Sequence, residues 1–377
     1  MPNLAFDAKR LFNNPTGLGN YARTLLKNLT EYHPDHQYHL YSPRIKKQAY
    51  NEFFRKSPAF QNHTAGRTPA ALWRSYRVKK DLLKNKVDLY HGLSHEIPIG
   101  LSDTKIKTVV SIHDLIIKTY PHTFKAIDRA IYDWKFSYAC READHIIAIS
   151  EHTKRDIIKY YGTSADKISV VYQTCGEQFK IIHAAKHIQT VQQRYQLPAE
   201  YLLYVGSIVE RKNLLPLLEA IRLLPKTVQL PLVVVGQGSG AYFKKVQDYI
   251  RQQGIRVYFP QGVSNEDLPA IYQGAQIFCY PSSYEGFGIP ILEALYSKVP
   301  VVTSPLSSLP EAAGPDAFYA DPKNKEELSE AINNVLTNSE LRSNSIKKGF
   351  EHAQQFDART LTDQVMNIYL QQLQNPI

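Results

Sequence analysis

Short apolar runs recur along the chain, each followed by a stretch in which apolar residues return every three or four positions. Compact runs of apolar and β-branched residues read as buried strands, and the 3.6-residue period reads as amphipathic helix. In the first half this pattern predicts strands over 4–8, 37–41, 87–91, 107–113, 145–150 and 168–172, with helices over 20–32, 72–85, 126–141 and 151–161. The rhythm blurs through 176–198. It resumes with strands over 202–205, 232–235, 257–259, 277–280, 299–303 and 318–320, again with helices between them. Alternation of this kind builds parallel sheets from βα units. The expected fold class is therefore α/β, with two Rossmann-like, doubly wound domains facing across a cleft. The expected boundaries are a first domain over 1–175, a linker over 176–198, a second domain over 199–353 and a C-terminal helix within 354–377. That helix is amphipathic through Leu361, Val365, Ile368, Tyr369 and Leu373, and is expected to pack back on the first domain.

Composition narrows the classes. At 377 residues and 43% hydrophobic content the chain can bury large cores. Its opening, Met1 to Asp7, lacks the basic and apolar regions of a secretory leader, and no apolar run approaches the ~18 residues of a membrane span. A cytoplasmic location is expected, with peripheral contact at the inner face of the cytoplasmic membrane. Cys140, Cys175 and Cys279 are odd in number and widely spaced, which reads as buried thiols in a reducing compartment rather than disulfides or a metal site.

The net charge of +10 is unevenly placed. Residues 1–175 hold 27 Lys and Arg against 16 Asp and Glu, whereas 176–377 hold 18 against 19. The excess is densest from Arg44 to Lys86, where 12 basic residues meet only Glu52 and Asp81, interleaved with Phe53, Phe54, Phe60, Trp73 and Tyr76. Such a stretch suits either an anionic membrane surface or a solvated basic face whose aromatics pack inward. Nucleic acid would favour the same bias, but no nucleic-acid motif accompanies it.

The densest chemistry lies in Tyr280-Pro281-Ser282-Ser283-Tyr284-Glu285-Gly286-Phe287-Gly288-Ile289-Pro290, followed by Ile291-Leu292-Glu293-Ala294. A buried strand feeds a glycine-rich turn and then a helix near Ile289, with Pro290 where its missing N–H costs nothing. Backbone N–H groups at such a turn suit a phosphate or sugar oxygen. Two acids at a helix start could be capping alone. Capping, however, needs neither Gly286 and Gly288 nor carboxylates eight residues apart.

Several segments together resemble the retaining glycosyltransferases of family four, which have the GT-B fold. The Glu285 to Glu293 element is similar to that family's pair of acids separated by seven residues. Val205-Gly206-Ser207-Ile208-Val209-Glu210-Arg211-Lys212-Asn213 resembles its donor-phosphate loop, and Thr16-Gly17-Leu18-Gly19-Asn20-Tyr21 its first glycine loop. Ser111-Ile112-His113-Asp114-Leu115 and Ala148-Ile149-Ser150-Glu151-His152-Thr153-Lys154 resemble two further signatures, and all occur in family order. Within the family, the pattern is most similar to bacterial enzymes that add mannose or related sugars to surface polysaccharides and lipopolysaccharide.

The resemblance implies roles. Lys212 contacts the phosphates of a nucleotide-diphosphate sugar and Arg211 assists, so that fixed cations stabilise the departing diphosphate without a metal. The family often places Arg directly after the glycine, where this chain has Ser207. Glu293 accepts hydrogen bonds from the nucleotide ribose; Glu285 contacts the donor sugar or positions its reacting face. Backbone N–H groups of Phe287, Gly288 and Ile289 hold the sugar and distal phosphate, and Gly236 walls the nucleotide pocket. Gly17 and Gly19 admit the donor diphosphate closely, and His113 reaches the transferred sugar through a hydroxyl or through its own carbonyl. No carboxylate is placed as a covalent nucleophile, so the resemblance implies front-face substitution. No metal or cofactor is implied beyond a GDP- or UDP-sugar as co-substrate. The implied partners are that donor and a lipid-linked or oligosaccharide acceptor. Two alternatives are a soluble acceptor such as a sugar phosphate, and a non-catalytic glycan- or nucleotide-binding scaffold.

Overall fold

The computed structural model describes residues 1–374. The chain forms two compact units, one of residues 1–173 together with the segment from Asp357 onward, the other spanning Thr174–Phe356.

The first unit is built on seven parallel strands: β1 (Asn3–Asp7), β2 (Gln37–Tyr41), β3 (Phe60–His63), β4 (Leu89–Gly92), β5 (Lys107–Ile112), β6 (His145–Ala148) and β7 (Ile168–Val170). Their order is β3-β2-β1-β4-β5-β6-β7. Strands covered on both faces must be apolar nearly throughout, and β1, β4 and β5 are buried along almost their whole length. One core gathers Val110, Ile112, Phe136, Cys140, Ile146 and Ile157; a second gathers Ala5, Tyr41, Trp73, Val78, Leu82 and Tyr90. The helix Ala358–Gln374 packs on the helix Gly17–Tyr32, burying Leu361, Val365, Ile368 and Tyr369. The Tyr369 hydroxyl meets His91 Nδ1 at 2.6 Å, and His33 Nε2 meets Asp363 at 2.9 Å.

The stretch 72–85, expected as one helix, is helical through Lys84 but contains a π-helical segment. Ala70–Leu72 and Val78–Lys84 flank a π-helical turn, Trp73–Arg77. That wider turn carries Arg74 inward, where its guanidinium pairs with Asp7 and lies 2.6 Å from Glu96. Arg74 therefore does not belong to the basic surface. Phe54, Phe60 and Trp73 also point inward, while Phe53, Leu72, Tyr76 and Leu83 are exposed. β3 was not anticipated, because only its first residue is fully buried and the rest of Phe-Gln-Asn-His is polar.

The second unit has six parallel strands: β8 (Leu202–Val205), β9 (Leu232–Val235), β10 (Val257–Tyr258), β11 (Ile277–Tyr280), β12 (Val301–Thr303) and β13 (Phe318–Tyr319). Their order is β10-β9-β8-β11-β12-β13. The stretch 176–198, expected as a linker, is ordered. It contains the helix Ala185–Arg194, which packs on the helix Leu268–Gln273, and Arg194 and Tyr195 both bond Asp267. Within that helix Val191 alone is fully buried. At the other boundary, Gln354–Phe356 belongs to the second unit, where the Phe356 ring meets Phe287 edge-on at 5.3 Å.

Candidate active site

β8 runs through Leu202 to Val205, fully apolar, and ends at Gly206 with a φ of 148°. A side chain at Gly236, at the end of neighbouring β9, would lie 1.9 Å from the Gly206 carbonyl oxygen. Gly236 is thus required for the two strand ends to approach each other. The chain then makes a short 3-10 turn, Glu210–Lys212, and passes through Asn213, whose φ is 53°, into the helix Leu214–Leu223. Asparagine tolerates this left-handed backbone better than most residues. Its side-chain amide donates to the Pro281 carbonyl at 2.8 Å and to Ser283 Oγ at 2.7 Å, which binds the turn to the segment after β11.

These turns bring Arg211, Lys212 and Glu285 together. Arg211 Nη1 lies 2.8 Å, Lys212 Nζ 2.9 Å and the Tyr280 hydroxyl 3.0 Å from Glu285 Oε1. Lys212 is only 7% exposed, and its ammonium also meets the Tyr280 hydroxyl at 2.5 Å. Burial pushes the Glu285 carboxyl up, but Lys212 and Arg211 outweigh it and hold the group at about 2. The balance is reasonable: at an effective dielectric of about 20, unit charges this close attract by about 5–6 kcal/mol, comparable with desolvation penalties of several kcal/mol per ion. Burial lowers the Lys212 ammonium, with Glu285 opposing.

Glu293, in the helix Ile289–Tyr296, has a different environment. Its partner is the Tyr272 hydroxyl at 2.8 Å, and burial raises its carboxyl to about 7 against that hydrogen bond. The two acids thus have separate partners and opposite protonation tendencies. Between them, Gly288 has a φ of 138°, Ile289 begins the helix, and Phe287 places its ring in the core.

In the first unit, Gly17 opens the helix Gly17–Tyr32, and a side chain there would meet nothing within 4 Å. Gly19 differs: a Cβ would fall 1.9 Å from the Asn14 carbonyl oxygen, so local packing already demands glycine. His113 is 5% exposed and fully engaged. Its Nε2 meets the Leu93 carbonyl at 2.9 Å, Gln173 approaches Nδ1 at 3.2 Å, and Thr153 bonds its carbonyl at 3.2 Å. Burial first, then nearby His95, lowers its imidazole to about 3. It is therefore neutral at physiological pH.

Tyr280 and Asn213 stood within the segments singled out from the sequence but were given no role, and Tyr272 was not singled out. Tyr280 closes an apolar strand and reads as core; only its position one residue before the turn marks its hydroxyl as available. Among the described residues no cluster of three or more His, Cys, Asp or Glu is arranged to hold a metal, and no helix is long and apolar enough to cross a membrane.

Residues 15–174 match the profile described as Glycosyltransferase Family 4, and residues 188–352 that described as Glycosyl transferases group 1. The O-antigen chain mannosyltransferase B of Escherichia coli is 32% identical over 286 residues, covering 74% of each chain. The chain belongs to the family-four glycosyltransferases. Another relative of this glycosyltransferase is the E. coli serotype-specific mannosyltransferase WbdA, 29% identical over 255 residues, which are 66% of this chain and 31% of that longer one. The fold of the glycosyltransferase is GT-B. HepE of Anabaena, solved in complex with UDP, superposes with a TM-score of 0.77 at 19% identity, over 98% of this chain and 100% of that one.

Proposed function

We propose that this glycosyltransferase moves mannose, with retention of configuration, from GDP-mannose to a lipid-linked glycan acceptor during synthesis of a surface polysaccharide. The observation that carries the reading is the convergence of Arg211, Lys212 and Tyr280 on Glu285. The mannosyl preference is supported by the E. coli relative named as an O-antigen mannosyltransferase. The nucleotide-diphosphate donor is supported by the UDP bound to HepE.

In this reaction the bond between the sugar's anomeric carbon and the donor phosphate breaks, and a bond to an acceptor oxygen forms on the same face. The acceptor's proton passes to an oxygen of the leaving diphosphate. Negative charge therefore grows on the diphosphate, where preorganised cations are most effective. Lys212 and Arg211 supply them, and Glu285 keeps both oriented before the donor arrives. Glu293 receives the ribose hydroxyls, and the backbone of Phe287, Gly288 and Ile289 faces the sugar and distal phosphate. In the first unit the backbone at Gly17 is unobstructed, and His113, locked and neutral, is unsuited to act as a base. No metal or cofactor takes part. The membrane contact belongs to the exposed face of residues 70–84, at the inner side of the cytoplasmic membrane.

The test supplies GDP-mannose or UDP-glucose with a lipid-linked acceptor and reads the anomeric configuration of the product by NMR. An α-linked mannose is expected. A β-linkage, or transfer only from UDP-glucose, overturns the reading.

A further inference from the structure

Five backbone groups in the segment that carries Glu285 are bonded by hydroxyls from one neighbouring stretch, the end of β12 and the loop after it. Thr303 Oγ1 donates to the Tyr280 carbonyl at 2.8 Å, and Ser304 Oγ to the Ser282 carbonyl at 2.5 Å. Ser307 Oγ accepts the Glu285 N–H at 3.0 Å. Ser308 Oγ lies 2.8 Å from both the Glu285 and the Phe287 carbonyls.

Local structure does not account for two of these residues. Ser308 immediately precedes the helix Leu309–Ala313, where a serine side chain ordinarily accepts from a helix amide. It makes no such cap, and its fully buried hydroxyl is directed at the turn. Ser307 has a φ of 55°, a left-handed backbone that glycine adopts freely and serine only at a conformational cost. Strained backbone of this kind concentrates where function requires an exact geometry. What serine supplies here, and glycine could not, is an acceptor for the amide of Glu285. The two serines thus bond the N–H and the C=O of one residue, the one whose carboxylate gathers Arg211, Lys212 and Tyr280.

We propose that Ser307 and Ser308 are positioning residues for Glu285. They fix the peptide planes on either side of it, so that Oε1 falls where the two cations and the tyrosine converge. The inference rests on the reading that gives Glu285 a part in catalysis, and it adds the loop after β12 to the parts that set the rate. A misplacement near 1 Å can cost about a hundredfold in rate, and loss of one of two restraints should cost about tenfold.

The test compares Ser307→Gly, Ser307→Asn, Ser308→Ala and Glu285→Gln in turnover of GDP-mannose with the lipid-linked acceptor, alongside melting temperature. Ser307→Gly relieves the strained backbone, so its melting temperature should hold or rise while kcat falls about tenfold. Ser307→Asn restores a side-chain oxygen on a residue that tolerates the left-handed region, and should recover most of that loss. Ser308→Ala should lower both kcat and melting temperature, since the single hydroxyl proton that the two carbonyls share is lost. Wild-type kcat in Ser307→Gly, or no recovery in Ser307→Asn, overturns the positioning role while Glu285→Gln remains impaired. Wild-type kcat in Glu285→Gln overturns the underlying reading and this inference with it.

Discussion

Two carboxylates from one short segment end in opposite electrostatic states, because one gains cations and the other only a hydroxyl. Glu285 is held at about 2 and Glu293 is raised to about 7. For Glu293 the folded value lies above the unfolded one of about 4.5. The folded state therefore binds the proton more tightly, and the penalty for ionising a buried group builds from about pH 4.5 to pH 7. Glu293→Gln removes that penalty while leaving an acceptor for Tyr272. It should raise stability at pH 8 by about 2 kcal/mol, discounted for the residue's partial exposure. The gain should close as pH falls toward 4.5. Melting temperatures of the two proteins across this range provide the check, and a constant gap would contradict the assignment. At this scale the two acids were singled out because they share one short segment, and Arg211 and Lys212 because their loop resembles a family signature, although they lie 74 and 73 residues from Glu285. Tyr272 was not, since its apolar context reads as core.

Among elements, those with uniform burial were the most legible. β8, β9 and β11 coincide with their expected spans, being unbroken apolar runs at the sheet centre. β3 and the helix Ala185–Arg194 escaped, and each buries one residue fully. The π turn Trp73–Arg77 was invisible, since one extra residue in a turn leaves composition untouched and only rotates the residues after it. That rotation revises the membrane-facing reading. With Arg74 withdrawn into ion pairs, the outward basic residues of this element are Arg77, Lys80 and Lys84, beside Leu72, Tyr76 at 52% exposure, and Leu83. Replacing Arg77, Lys80 and Lys84 with Ser should reduce binding to phosphatidylglycerol vesicles, each charge contributing about 1 kcal/mol near an anionic surface. Folding and donor binding should be unaffected. Cosedimentation at low and high salt tests this, and binding insensitive to both substitution and salt would remove the element from membrane contact.

Across the whole molecule, acid should act oppositely on the two units. His91, His95 and His113 in the first are each lowered to about 3, chiefly by burial. Their neutral forms support folding fully above the unfolded value near 6.5, and that support is lost as pH falls below it. At pH 5 the loss reaches about 2 kcal/mol for each histidine. In the second unit, protonating Glu293 over the same interval is stabilising. Hydrogen exchange at pH 7.5 and pH 5 should therefore show protection falling in β4 and β5 and holding or rising in the helix Ile289–Tyr296. Equal loss in both would count against the buried neutral histidines.

The path of the polypeptide has a further consequence for synthesis. The second unit is one uninterrupted stretch, Thr174–Phe356, whereas the first borrows its last helix from beyond Asp357. During translation the earlier-made lobe must wait, the helix Gly17–Tyr32 without its C-terminal partner helix and His91 lacking the Tyr369 hydroxyl, until the later-made lobe has wholly emerged. Order of appearance and order of completion are thus reversed. A nascent chain stalled before Asp357 would carry one finished lobe and one with an open greasy seam, the form most exposed to chaperones and to self-association.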